Sequence, residues 1–249
     1  MNRKELENYL NQLLQPEDFK DYCPNGLQVE GKHDIQKIIT GVTACQDLID
    51  KAIEKNADAI LVHHGYFWTG ENSCITGMKK NRIASLLKNE INLYAYHLPL
   101  DAHVEFGNNV QLAKKLNIAI EFNDGRENPF LFTGSLKNPM SGEDFSLYVN
   151  KILSREPLFI SSHKKKIKTL AWCTGAAQDY IEEAHSLGVD AFLTGEVSER
   201  TVHFARENDI HFFAAGHHAT EKYGVQALGD HLVEKFGVDC EFIDIGNPV

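Results

Sequence analysis

Apolar residues recur at helical spacing over positions 3–14, predicting an opening amphipathic helix. The stretch 21–31, DYCPNGLQVEG, carries Pro24, Asn25 and Gly26 as punctuation and reads as a long turn. Short apolar runs then alternate with helical periodicity: a run over 35–42, a helix over 46–56, a run over 57–63, a helix over 78–88 and a run over 91–97. That β-α-β-α-β order predicts parallel strands buried between helices. The scheme returns as strands over 167–173, 190–194 and 210–215, with helices over 178–187, 198–208 and about 217–235.

The two passages are alike residue by residue. Shifted by 132 positions, Ala44, Gln46, Asp47, Ile49, Ala52, Asp58, Ala59 and Leu61 coincide with Ala176, Gln178, Asp179, Ile181, Ala184, Asp190, Ala191 and Leu193, 8 identities in 18 positions. Shared periodicity does not explain a matched Gln-Asp at a helix start or Asp-Ala at a strand start, so an internal duplication is expected. The fold class is therefore α/β: two similar α/β halves with mostly parallel sheets, residues 1–128 and 166–249, separated by a small α/β insertion over 129–165. Within the insertion, Ser141 opens a helix with Asp144 at the capping-box position, and a strand follows over 158–161. The HKKK run from His163 to Lys166 reads as a solvated hairpin or linker.

Charge and cysteine usage narrow the function classes. The 249 residues carry 25 Lys plus Arg against 35 Asp plus Glu, a formal charge of -10. Such a chain offers no electrostatic attraction to nucleic acid or an anionic bilayer, and a small-molecule partner is expected instead. Five cysteines, odd in number and without C-x-x-C spacing, predict reduced thiols. The charged N-terminal stretch and the absence of an apolar run near the roughly 18 residues of a membrane span lead to a cytoplasmic expectation.

The anomaly is 12 histidines, several of them clustered. AILVHHG sets His63 and His64 at the carboxyl end of a buried run, where parallel sheets place their binding sites. Neighbouring strand residues point to opposite faces, so two adjacent ions could each take one imidazole; alone, the pair reads equally as polar loop histidines. LYAYHLPLDAH ends the next run at His97, with Pro99 stopping any helix and Asp101 and His103 on the following loop, where an aspartate most commonly serves as a turn or cap. FFAAGHHATEKYG opens a helix on which His217 and Glu221, four residues apart, share one face, while His218 and Thr220 point elsewhere. Together His63, His64, Asp101, His217 and Glu221 form a mixed nitrogen and oxygen set suited to two divalent ions about 3.5–4 Å apart. Zinc, iron, manganese and nickel all accept it.

PNGLQVEG, LVHHG, YAYHLPLDAH, DAFLTGE and GHHATE, in that order across 21–243, resemble the dinuclear-metal toroidal hexamer family labelled GTP cyclohydrolase 1 type 2 homologues, the NGG-interacting-factor-three-like proteins. The resemblance implies two divalent ions held by the residues matching His63, His64, Asp101, His217 and Glu221, with no departure at those five positions. It also implies a ring-shaped homohexamer whose metal sites face an internal cavity. In such a site His97 would orient a ligand or shuttle protons, or else be a hydrogen-bonded strand-end histidine. Glu196 stands where the repeat places His64; it would support a ligand or act as general base, or simply complement a helix start. Tyr66, Phe67 and Trp68 would stack a purine or pterin-like ring, or pack between subunits.

The leading expectation is a metal-dependent hydrolase acting at a C–N or ester centre of a nucleotide or related heterocycle, which for a cyclohydrolase is the purine imidazole ring. No G-x-x-x-x-G-K-[ST] loop is present to cradle a triphosphate. The alternative is a non-enzymatic metal-binding ring acting as scaffold, store or partner-docking protein.

Overall fold

Asn2 opens the first helix, Arg3–Leu14, with a reciprocal cap: its side chain accepts the Glu5 N–H at 2.9 Å and the Glu5 carboxylate accepts the Asn2 N–H at 2.8 Å. Leu6, Leu10 and Leu14 recur along one helical face and are buried with Ile35, Ile38, Tyr94 and Tyr96. The computed structural model describes residues 1–121, 128–164 and 166–249. They form two compact units, Met1–Phe106 with Gly224–Ile245, and Gly107–Tyr223 with Gly246–Val249. The boundaries at 128 and 165 follow the sequence repeat, and they are a proposal about descent.

The first unit contains strands β1 (Gly26–Val29), β2 (Lys37–Thr43), β3 (Ala59–His64) and β4 (Asn92–Ala95). The second contains β5 (Ile118–Ile120), β6 (Phe132–Met140), β7 (Leu158–Ile160), β8 (Ile167–Trp172), β9 (Ala191–Thr194) and β10 (His211–Ala214), and β11 (Asp239–Phe242) returns to the first. The first sheet runs β1-β4-β3-β2-β11, with β11, β2, β3 and β4 parallel and β1 antiparallel at the edge. The second runs β5-β6-β8-β9-β10-β7. Its centre, β8-β9-β10, is the parallel trio that the sequence predicts; β6 and β7, from the expected insertion, pair antiparallel on either side of it.

Several local expectations are corrected. The stretch 21–31 is not all turn, because Gly26–Val29 pairs with β4; four residues behind Pro-Asn-Gly are too few to show strand periodicity. Pro99 does not exclude a helix, since it occupies the first turn of Leu98–Ala102, where its missing N–H has no intrahelical partner to lose. The helix expected over 217–235 is two, His217–Thr220 and Lys222–Phe236, parted at Glu221. The helix Asn108–Lys115 and strand β5 had no sequence expectation, because Asn108 and Asn109 are buried polar residues that interrupt the apolar pattern. Asn109 Oδ1 accepts the Thr174 N–H at 3.0 Å.

The repeat is visible as repeated chemistry. Asp58 Oδ2 accepts the N–H groups of Gln36 and Lys37, both at 3.0 Å, and Lys32 Nζ lies 2.9 Å from Oδ1. Asp190 Oδ2 accepts the N–H groups of Lys168 and Thr169, both at 3.0 Å, and Lys164 Nζ lies 3.3 Å from Oδ1. All four residues of one set map onto the other by the same 132-position shift. Each aspartate ties the start of one strand to the start of its neighbour, in its own unit. Lys164 is therefore a structural cation and not a solvated linker residue, while Lys165 lies outside the described residues. Among the described residues no helix is long and apolar enough to cross a membrane.

Burial works against ionisation of Asp58 and Asp190, but the backbone donors and lysines outweigh it and hold both carboxyls below the ordinary range. Their stabilisation is complete above the unfolded value near pH 4 and fades as the pH falls through the lowered folded values. Asp58→Ala or Asp190→Ala is expected to cost about 1–3 kcal/mol in denaturant unfolding at pH 7 by leaving two strand-start donors unpaired. The deficit should shrink in acid; an equal deficit at every pH would contradict this account.

Candidate metal centre

In the first unit, β3 delivers His63 and His64 to its carboxyl end, and the short helix after β4 delivers Asp101. His63 is fully buried; its Nδ1–H donates to the Tyr96 carbonyl at 3.0 Å, and its Nε2 stands 3.5 Å from Asp101 Oδ1. His64 Nδ1 lies 3.1 Å from the Thr43 hydroxyl on the neighbouring strand. Strand alternation predicts rings on opposite faces, yet the two imidazole centroids are 4.5 Å apart: side chains of this length meet around the strand tip. Ring nitrogens of His63, His64 and His97 all lie within 4.8 Å of one another.

His97 is held by the loop before β1. Its Nδ1–H donates to Asp21 Oδ1 at 2.7 Å, and its backbone N–H donates to Asn25 Oδ1 at 2.7 Å. Asp21 also accepts from the Asn25 amide at 2.8 Å and the Leu98 N–H at 2.9 Å. Burial opposes its ionisation, but His97 and these donors hold the carboxyl down to about 2. The nearby Cys23 is buried, its Sγ within 4.8 Å of ligand atoms of Asp21 and His97, and burial and the Asp21 charge push its thiol up to about 12. The Trp68 ring is T-shaped to His97, with centroids 5.0 Å apart, and its centroid lies 6.0 Å from that of His64. Tyr66, by contrast, is buried with its hydroxyl on the Ala44 carbonyl at 2.8 Å, and so is not available to stack on a ligand.

In the second unit, β10 ends at Ala214, and after Ala215 and Gly216 the chain turns into His217. His217 Nε2 stands 3.0 Å from Glu221 Oε2, while its Nδ1–H donates to Glu196 Oε1 at 2.6 Å. The i,i+4 pair thus meets although the helix breaks at Glu221. Gly175 makes this possible: its φ is +71°, and a Cβ there would stand 2.1 Å from Glu221 Oε1. Burial disfavours a charged His217, yet Glu221 and Glu196 overcome it and raise the imidazolium to about 9. His218 is buried, and its backbone N–H donates to the Val249 carbonyl at 3.0 Å.

Each set fits a divalent cation on its own chemistry. Ligands about 2.1 Å from a tetrahedral ion stand roughly 3.4 Å apart, close to the His63–Asp101 separation. His63 and His217 each commit Nδ1 to an acceptor, which leaves Nε2 as the nitrogen facing a carboxylate; in His217 that nitrogen carries a proton toward Glu221, the place a bound cation would take. A carboxylate as buried as Glu221, 2% exposed, needs positive charge or strong donors beside it; His217 supplies that here, and a divalent cation could take the same place. Asp21, Thr43 and Gly175 escaped the sequence reading, since no local spacing links them to the histidines; the Pro24-Asn25-Gly26 turn beside Asp21 was the available signal.

Residues 1–248 match the family described as Duf34/NIF3 (NGG1p interacting factor 3). The chain is similar to a Vibrio cholerae protein named GTP cyclohydrolase 1 type 2 homolog, 53% identical over 252 residues and 100% of both chains. It is also similar to the Escherichia coli K12 protein of that name, 51% identical over 249 residues and again 100% of both. Among solved structures, a protein ybgI of unknown function superposes with TM-score 0.97 at 50% identity, and a Thermus thermophilus protein with 0.88 at 33%, each covering 100% of both chains.

Gly175→Ala should displace the Glu221 carboxylate and strain a left-handed backbone, lowering bound metal per chain and costing about 1–3 kcal/mol; unchanged metal content by elemental analysis would refute the cradle. The Asp21 carboxyl is depressed, so its contribution is whole above about pH 4 and lost on approach to pH 2. Asp21→Asn is therefore expected to flatten this part of the acid unfolding limb, as read from thermal midpoints between pH 2 and 5; parallel limbs would count against it.

Proposed function

This chain belongs to the Duf34/NIF3 (NGG1p interacting factor 3) family, and from that premise we propose that it binds two divalent metal ions through His63, His64, Asp101, His217 and Glu221 and hydrolyses a nucleotide or related heterocycle. The observation that carries the reading is the pairing found in each unit: an imidazole pinned through Nδ1 whose Nε2 faces a buried carboxylate. Bound divalent cations supply Lewis acidity toward a scissile C–N or ester bond. The chain's own residues orient and buffer that chemistry. Tyr96 and Thr43 fix the rings of His63 and His64, and Glu196 makes His217 a more basic ligand. His97, oriented by Asp21 and shielded by Trp68, is the proposed proton-transfer group. The name shared by the relatives makes GTP the first substrate to test. The family resemblance supports a homohexamer, which light scattering should report as six times the 28.1 kDa chain.

His64→Ala, Asp101→Ala and Glu221→Ala should each lower metal content, whereas His218→Ala and His231→Ala should not. Metal-loaded protein should turn over GTP or another nucleotide, and chelation should abolish it. Filled sites without turnover across a nucleotide panel would defeat the hydrolase reading in favour of a metal-binding scaffold. Unchanged stoichiometry in all three ligand variants would remove the ligand assignment.

A further inference from the structure

A second group of metal-type donors stands in the first unit, outside the five proposed ligands. The loop before β1 and the turn after β4 meet at His97, and a carboxylate oxygen of Asp21, the sulfur of Cys23 and a ring nitrogen of His97 all lie within 4.8 Å of one another. Asp21 and Cys23 stand two apart in the chain with their side chains turned from solvent, while Tyr22 between them is 64% exposed. The side chains of Asp21 and His97 are 3% and 14% exposed. Asn25 clasps the group: its amide donates to Asp21 at 2.8 Å and its Oδ1 accepts the His97 N–H at 2.7 Å. The three donors are thus held in place before any ion arrives.

This set differs in kind from the imidazole and carboxylate pairs, because it contains sulfur. Asp21 Oδ1 accepts the Tyr22 N–H at 2.6 Å and the His97 Nδ1–H at 2.7 Å, and Oδ2 accepts from Asn25 and Leu98, which fills the lone pairs of both oxygens. A cation therefore enters only where a donor now stands. The Nδ1 proton of His97 is the one a metal replaces, since the other three donors are amides. Ligands about 2.1 Å (nitrogen, oxygen) and about 2.3 Å (sulfur) from a tetrahedral ion stand roughly 3.4–3.6 Å apart, so Asp21 and His97 part slightly and the sulfur closes by about 1 Å at most. Thiolate beside imidazole and carboxylate selects zinc or cobalt over manganese or magnesium.

We propose that Asp21, Cys23 and His97 form a further metal site, separate from the five-residue set, which takes one thiophilic divalent cation of the zinc class through a carboxylate oxygen, a thiolate and His97 Nδ1. On binding, the Cys23 proton goes to solvent and the His97 proton passes from Nδ1 to Nε2. A filled site therefore leaves His97 without the lone pair that proton transfer needs; this consequence rests on the role proposed for His97 above, whereas the site does not. Anaerobic titration of the full-length protein with cobalt(II) and with manganese(II) tests it. Cobalt should add one ion per chain beyond manganese, and that ion should bring a thiolate-to-cobalt charge-transfer band in the near ultraviolet. Cys23→Ser should remove the band and the additional ion, with circular dichroism and the manganese count unchanged. His97→Gln should weaken that ion at least tenfold, and Cys74→Ser, at an exposed thiol, should change neither band nor count. Equal cobalt and manganese counts, no band, or a band that survives Cys23→Ser would each overturn the assignment. Because the reading is a difference between two metals, failure of the five-residue set would lower both counts and leave the difference intact.

Discussion

A carboxylate withdrawn from water must have positive charge or strong donors beside it, and that requirement governs the functional ends of both sheets. Asp101 and Glu221 are 7% and 2% exposed. Each is met by an imidazole nitrogen, and each imidazole is itself held by an acceptor on its far side. A chain of that kind, acceptor to ring to buried carboxylate, gathers nitrogen and oxygen donors at one point of each sheet end. A divalent cation is the natural complement. Close backbone packing sets the geometry: Gly175 leaves room for the Glu221 carboxylate that no other residue would leave.

The two sheets solve the same construction problem twice. An aspartate at the start of the second parallel strand caps the open donors of the first, and a lysine 26 positions before it approaches the same carboxylate. These contacts lie at the amino ends of the strands, away from the histidines, which occupy the carboxyl ends. Stability chemistry and ligand chemistry are thereby separated along each sheet, and the ligand ends are left to diverge. In the first unit the equivalent strand ends with His63 and His64; in the second the strand is followed by Gly195 and Glu196, and the Glu196 carboxylate accepts from His217, supplied by the next strand end.

The insertion gains a physical role from this arrangement. Its strands extend the second sheet on both sides, so that the parallel trio lies between antiparallel neighbours. The loop entering β7 is carried to the emergence of His217, where Arg155 and Glu156 line a cavity. The first unit has β11 and β1 at its edges instead, and its histidines are fenced by Trp68 and the loop that carries Asp21.

Sequence alone determined the order of most strands and helices, the repeat, and the arrival of histidines at strand ends, because burial periodicity and strand termination are properties of neighbouring residues. It also placed His217 and Glu221 within reach of each other, since four residues nearly complete a helical turn. Tertiary structure decided what holds those groups. Asp21 finds His97 across 76 positions, and Arg155 finds Gly216 through the pairing of β7 with β10. Such contacts depend on which strands are neighbours and in what register, and no local spacing encodes either. The same holds for edge strand β1 and for the break at Glu221: short segments carry too few residues to display a period, and their conformation is settled by what packs against them.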